Sequence, residues 1–355
     1  MALPSYATAT QAALPRKKKR KGLSLFLTVP SSLLVAVIVF ALISPVPATL
    51  VIRFAFRNSM AVAPDHYEEM EERVSVVKNL RYGPDDRNNA ADLYIPKDQP
   101  GPFSVVLWVH GGAFVGGNKE DIAIYATALA AEGIAVVCIN YQRAPEAQYP
   151  APIMQTQEAY LWLKELSSTY SLDMTRFALA GDSAGAHIAA QFAAVQSNAT
   201  YAEEMGFDQT IPLDTLRGIL LFCGPFDVAK MNEVGNPIMN FFTKRIAWAY
   251  FGERNWFTRF AYQATITNHI TGDFPPTFIS DSNTLSFEAH GRALAEALRE
   301  NGVFVETYFI PIDTEVTAHE YQFIMNTPAG QESFRKMLDF LKRVNGTCSE
   351  WNSCE

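Results

Sequence analysis

The chain has 355 residues, 48% of them hydrophobic, enough for one large α/β domain with appendages. Eight of its 29 Lys and Arg residues fall within residues 1–57, which hold no acid, so the remainder sets 21 basic residues against all 37 acidic ones. A body this acidic excludes nucleic acid as a partner, and four cysteines are too few for a disulfide scaffold.

Residues 1–22 form a small, polar tail that ends in the block Arg16-Lys17-Lys18-Lys19-Arg20-Lys21. Leu23 to Ile43 then run without a charge, and such a length at ~1.5 Å rise per residue spans a ~30 Å hydrocarbon core. The basic block before the run outweighs Arg53 and Arg57 after it. The expectation is a transmembrane signal anchor over 23–43, with a cytoplasmic N-terminus and the large domain on the extracytoplasmic side of the membrane. A cleaved signal peptide is the alternative, although its apolar core is usually nearer about 7 to 15 residues. Residues 44–73 form a juxtamembrane connection. Within it Leu50 to Phe56 either lies along the membrane surface or packs on the domain. Glu68, Glu69, Glu71 and Glu72 read as a solvated helix face.

From Val74 to Asn345 strands and helices alternate. Strands are predicted at Val74–Val77, Ala91–Ile95, Phe103–Val109, Ala135–Asn140, Arg176–Ala180, Gly218–Phe222, Pro276–Ile279 and Phe304–Phe309. Helices are predicted at Ile122–Glu132, Pro152–Leu166, Ala184–Ser197, Glu288–Asn301 and Gln331–Val344. The alternation implies a mostly parallel sheet covered on both faces. One insertion, about 228–274, breaks it with Phe241, Phe242, Trp248, Tyr250, Phe251, Trp256, Phe257, Phe260 and Tyr262. These aromatics are either the insertion's own packing core or a cap that lines an acyl pocket. Cys138 and Cys223 sit in apolar runs and read as buried thiols. In the tail 346–355, Cys348 and Cys354 are placed to form a small disulfide in an oxidising compartment. Asn198-Ala199-Thr200 and Asn345-Gly346-Thr347 matter as glycan acceptors only in a glycosylating lumen.

Two motifs carry chemistry. Gly181-Asp182-Ser183-Ala184-Gly185 lies between a buried strand and an Ala-rich helix, the setting of a nucleophile elbow that pushes a serine oxygen above the sheet. His110-Gly111-Gly112-Ala113-Phe114 follows the strand Phe103–Val109 directly. Its glycines let consecutive N–H groups point into one space, and Gly111, Gly112 and Ala184 are the expected oxyanion-hole donors. Ala113 retains its N–H and serves as well if its backbone angles accept a Cβ.

With Asn140-Tyr141-Gln142-Arg143-Ala144-Pro145-Glu146, these motifs make the chain from about Val74 onward resemble the α/β-hydrolase superfamily, in particular esterases and lipases of the hormone-sensitive-lipase and acetyl-esterase type. The resemblance implies an eight-stranded, mostly parallel sheet with helices on both faces and a Ser-Asp-His triad in that chain order. Ser183 is then the nucleophile. His319, in the segment after the last strand, is its base; His187 and His290 lie within helical runs, His110 in the oxyanion turn and His66 before the fold. Asp281, the first carboxylate after Pro276–Ile279, is the expected acid. A gapped match places Asn283 there instead, and Asp227 and Asp313 stand in reserve. Asp182 is expected to brace the neighbouring loop.

The activity implied is a membrane-anchored serine carboxylesterase or lipase that cleaves short- to medium-chain esters, small-molecule or lipid, with no metal or organic cofactor required. A peptidase or amidase on the same fold would keep every residue named. A non-enzymatic binding member of the fold typically lacks a triad residue, whereas this chain has Ser183, His319 and an acid.

Overall fold

The computed structural model of the protein describes residue 36 and residues 39–57, 59–84, 88–231 and 237–346. Most of the expected span over 23–43, the basic block and the pair Cys348 and Cys354 lie outside the described residues. Among the described residues no helix is long and apolar enough to cross a membrane. The chain separates into two units, Met1–Ser44 and Pro45–Glu355. In the first, residues 39–43 are helical and expose Val39, Phe40, Leu42 and Ile43.

The second unit is built on an eight-stranded sheet in the order β1-β2-β4-β3-β5-β6-β7-β8. Its strands are β1 (Val74–Arg81), β2 (Ala90–Pro96), β3 (Phe103–Val109), β4 (Ala135–Ile139), β5 (Leu172–Asp182), β6 (Leu216–Phe222), β7 (Thr277–Asp281) and β8 (Val305–Phe309). The pairs β1–β2 and β2–β4 are antiparallel and the rest parallel. Every residue of β3 is buried, as its unbroken apolar run requires of a strand covered on both faces. Its alternate side chains part between two cores. Val105, Leu107 and Val109 join Ile153, Leu163 and Phe192, whereas Val106 and Trp108 join Leu129, Met337 and Phe340. Each such side chain contributes about 1.5–3 kcal/mol on leaving water.

Ten helices of the second unit are described: α1 (Val46–Ala55), α2 (Tyr67–Glu72), α3 (Ala123–Ala131), α4 (Ala151–Leu166), α5 (Ala184–Ser197), α6 (Ala199–Met205), α7 (Pro237–Phe251), α8 (Trp256–Ala264), α9 (Glu288–Glu300) and α10 (Pro328–Val344). Of the two readings of Leu50–Phe56, α1 packs on the domain. Ala48 and Thr49 are buried, and Arg53 donates to Val115 O at 2.6 Å and Ala144 O at 2.8 Å and pairs with Glu146. Leu50, Val51 and Phe54 remain exposed.

The insertion's aromatics form a packing core. Phe251 stacks on Trp256 and Phe260 at 5.4 and 5.2 Å, and Tyr250 stacks on Phe114 at 4.0 Å, while Phe241, Phe257 and Tyr262 face solvent. Helix α6 was not expected. Asn198, the first residue of one glycan-acceptor motif, is its N-cap, accepting from Tyr201 N–H at 3.0 Å and donating to His269 O at 3.0 Å.

Candidate active site

The central strand β5 ends at Asp182, and the chain turns at Ser183 into α5. Ser183 sits at φ 49°, ψ −117°, a strained conformation for a side-chain-bearing residue, held by its N–H bond to Phe222 O of β6 at 2.7 Å. The turn needs Gly185, because a Cβ there would overlap the carbonyl oxygens of Val109 and His110 at the end of β3. Helix α5 is thereby pressed onto the strand that leads into the His110–Phe114 turn.

Ser183 Oγ lies 3.0 Å from His319 Nε2. Burial lowers the His319 pKa, partly offset by the Asp281 charge, so the imidazole is neutral at neutral pH. Asp281, expected to hold the other ring nitrogen, does not reach it directly. Its Oδ1 accepts a short hydrogen bond from Ser286, and Ser286 Oγ is 2.8 Å from His319 Nδ1. The cause is the 282–287 turn, which folds back between β7 and the His319 loop and inserts a hydroxyl. Burial raises the Asp281 pKa to about 6 against the opposing pull of Ser286 and His319.

Asn283 is turned elsewhere. Its amide donates to Ile310 O at 2.9 Å and Glu315 O at 2.7 Å and accepts from Thr317 N–H at 3.0 Å, fixing the loop that precedes His319. His187 Nδ1 meets Pro225 O at 3.0 Å, His290 accepts from Asp227 N–H at 3.1 Å, and Asp313 is exposed.

The oxyanion turn departs from expectation at Gly111. Its N–H donates to Asp182 Oδ2 at 2.7 Å, while Trp108 Nε1 donates to Oδ1 at 2.7 Å. Asp182 braces the loop and in doing so removes Gly111 as a free donor. Gly112, Ala113 and Phe114 follow with φ of 107°, 55° and 61°. Val115 and Gly116 fold back to Gly112 O at 3.1 and 2.7 Å. Among the described residues, the N–H groups of Gly112, Ala113 and Ala184 have no acceptor.

Sequence reasoning did not single out Glu320, the residue after the base. Its carboxyl lies beside that of the buried Asp182, and Oε1 is 3.8 Å from His319 Nε2. Burial pushes both carboxyls up, Glu320 to about 7 even though its contact with Asp182 pulls it down, and the Glu320 charge raises Asp182 further. Folded Glu320 keeps a proton that the unfolded chain has already lost, so stability falls as pH rises from the ordinary carboxylate range to about 7. Glu320→Gln should therefore match the parent Tm at about pH 5 and exceed it at about pH 8. A gain confined to low pH in a thermal scan would contradict this account.

Cys223 Sγ, an Asp281 oxygen and a His319 ring nitrogen lie within 4.8 Å of one another, a donor set of metal-binding type. Ser286 already bonds two of the three, and burial pushes the Cys223 thiol up toward its neutral form.

A sheet of this order with a strained serine between β5 and its helix defines the α/β-hydrolase fold. The sequence pattern of the BD-FAE family matches residues 91–286, over half of the chain. The chain belongs to the BD-FAE family. It is 28% identical over 239 residues to esterase LipQ of Mycobacterium tuberculosis, covering 65% of this chain and 54% of that protein. It is 37% identical over 115 residues to a probable isoprenylcysteine alpha-carbonyl methylesterase of Oryza sativa subsp. japonica, covering 32% and 28%. The chain thus spans about half or less of these relatives' length. Esterase B from Lactobacillus rhamnosis superposes with a TM-score of 0.70 at 19% identity, over 88% of this chain and 96% of that one. Esterase LipW from Mycobacterium marinum gives 0.65 at 21%, over 83% and 90%. These two likenesses carry the fold alone.

Proposed function

We propose that the protein is a serine carboxylesterase acting on short- to medium-chain esters. The observation that carries the reading is the 3.0 Å contact between Ser183 Oγ, on its strained turn, and Nε2 of a neutral His319. His319 takes the Ser183 proton as the oxygen attacks the ester carbonyl, and the oxyanion is held by the N–H groups of Gly112, Ala113 and Ala184. Protonated His319 gives its proton to the departing alcohol. Water, deprotonated by His319, then releases the acid and restores Ser183. Asp281 is the acid that stabilises the imidazolium.

The uncharged run Leu23–Ile43 behind six basic residues supports a membrane-anchored form of this enzyme, with the N-terminus cytoplasmic and the catalytic domain on the other side. Its substrates are then esters near that surface.

One experiment tests both parts. Membranes from cells expressing the full-length chain are washed with alkaline carbonate, then assayed with p-nitrophenyl esters from acetate to palmitate and with the matching anilides. Ester hydrolysis that stays in the pellet, with a phosphonate label on the Ser183 peptide, is the expected result. Anilides cleaved faster than esters would make the protein an amidase, activity washed into the supernatant would remove the anchor, and a folded chain that takes up no label would remove the enzyme.

A further inference from the structure

We propose that Ser286 is a positioning residue of the hydrolytic site, its hydroxyl coupling the Asp281 carboxylate to Nδ1 of His319 where a direct carboxylate–imidazole contact would otherwise stand. The inference rests on the reading of Ser183 and His319 as nucleophile and base.

Donor and acceptor directions around Ser286 leave one consistent arrangement. An ionised Asp281 only accepts, so the Ser286 O–H donates to its Oδ1. The Ser286 oxygen then offers a lone pair to His319 Nδ1 at 2.8 Å, and that nitrogen must carry the ring proton. Nε2 is left as the acceptor that faces Ser183 Oγ at 3.0 Å. The hydroxyl thus selects the tautomer the attack step needs. No proton crosses it: the one taken from Ser183 stays on Nε2, and the Nδ1 proton keeps its place while the imidazolium charge is balanced through the Ser286 dipole by Asp281.

The surroundings make this hydroxyl hard to replace. Asp281 Oδ1 also accepts Ser282 N–H at 2.7 Å, but the buried Oδ2 has no hydrogen-bond partner among the described residues. One organised oxygen therefore carries the carboxylate's contact with the site. Leu285, at φ 51°, turns the chain so that Ser286 faces inward, and the Asn283 contacts to Ile310, Glu315 and Thr317 pin that turn to the His319 loop. Phe287 meets the imidazole edge-on at 6.0 Å. The other ionisable groups facing Asp281 are Cys223 of the β6 end and Glu320 of the His319 loop. Burial favours the neutral form of each.

The test uses the full-length chain with Ser286→Ala, Ser286→Thr, Asp281→Asn and the Ser286→Ala/Asp281→Asn double variant on a p-nitrophenyl ester. Ser286→Ala should lower kcat by about 100-fold or more with KM within about threefold. Its acid limb should move to lower pH, because the imidazolium has lost its link to a negative charge. Threonine, which keeps the hydroxyl, should recover activity to within about tenfold of the parent even if alanine loosens the fold. The double variant should lose no more than the worse single one, since both remove the same connection. The low-field proton resonance of Nδ1–H should shift in Ser286→Ala and return in Ser286→Thr.

An alanine variant within about threefold of the parent, with the same pH profile and the same resonance, would overturn the proposal. So would losses that multiply in the double variant. Phosphonate labelling of the parent separates this failure from a wider one: Ser183 labelled while Ser286→Ala is neutral sinks only the coupling, and Ser183 unlabelled sinks the catalytic reading beneath it.

Discussion

Replacing Ser183 by alanine is expected to cut kcat for an activated ester by about 10⁴- to 10⁶-fold, and His319→Ala should do nearly as much. On the proposed mechanism neither residue works without the other. A serine hydroxyl is almost wholly protonated at neutral pH, and among the described residues the only nitrogen within 3.0 Å of it that can take its proton is His319 Nε2. Without the imidazole, attack waits for a rare alkoxide; without the oxygen, the imidazole can at best activate a loosely held water. The double variant should therefore be no worse than either single one. What survives in all three should be the small effect of the Gly112, Ala113 and Ala184 donors on bound ester. Stopped assays at high enzyme concentration, checked by thermal melts to show each variant folded, read these losses directly. A His319→Ala enzyme within about tenfold of the parent would mean another base serves Ser183.

Much of this site was legible because its chemistry is tied to local pattern. The apolar run Phe103–Val109 and the Ala-rich stretch Ala184–Ser197 read as β3 and α5 with the bounds the structure gives them. Both are set by short-range burial and helix propensity. Chain order then brought Ser183 and His319 together across 136 residues. Where bounds moved, the cause lay outside the window read. Strand β5 begins at Leu172 because Phe103 and Ser104 of β3 pair with Leu172 and Asp173, and α10 begins at Pro328 because Thr327 caps it, accepting from Gly330 N–H at 3.2 Å. The site's departures are of another kind. That Gly111 gives its N–H to Asp182, and that Ser286 stands between Asp281 and His319, depends on side-chain direction after the fold has closed. No spacing rule carries that information. Asp182 was the one advance sign, a carboxylate beside Ser183 that had to be compensated once buried. Glu320, the residue after His319, is the neighbouring carboxyl whose charge raises the Asp182 pKa further.

Gly185→Ala tests whether the elbow and the oxyanion turn are one mechanical unit, and it should be the most destabilising single methyl in the site. The added Cβ would overlap the backbone carbonyl oxygens of Val109, the last residue of β3, and His110, the first of the turn after it, and backbone atoms cannot rotate aside as a side-chain end can. Relief requires α5 to move off β3, which separates Ala184 from Gly112 and Ala113 and pulls the Ser183 N–H bond to Phe222 O. The expected cost is about 3 kcal/mol or more, seen as a Tm lower by roughly 5–10 °C, with ester hydrolysis in the surviving folded fraction reduced through kcat. Gly206→Ala is the comparison that isolates the steric part. Its φ of 71° strains any side chain, but nothing lies within 4 Å of the new Cβ, so it should cost only about 1 kcal/mol and leave kcat alone. Equal losses at the two positions would mean that the contact between α5 and β3 does not set the glycine requirement at Gly185, whose own φ lies outside the left-handed region. The oxyanion donors would then owe their placement to the left-handed run at Gly112–Phe114 alone.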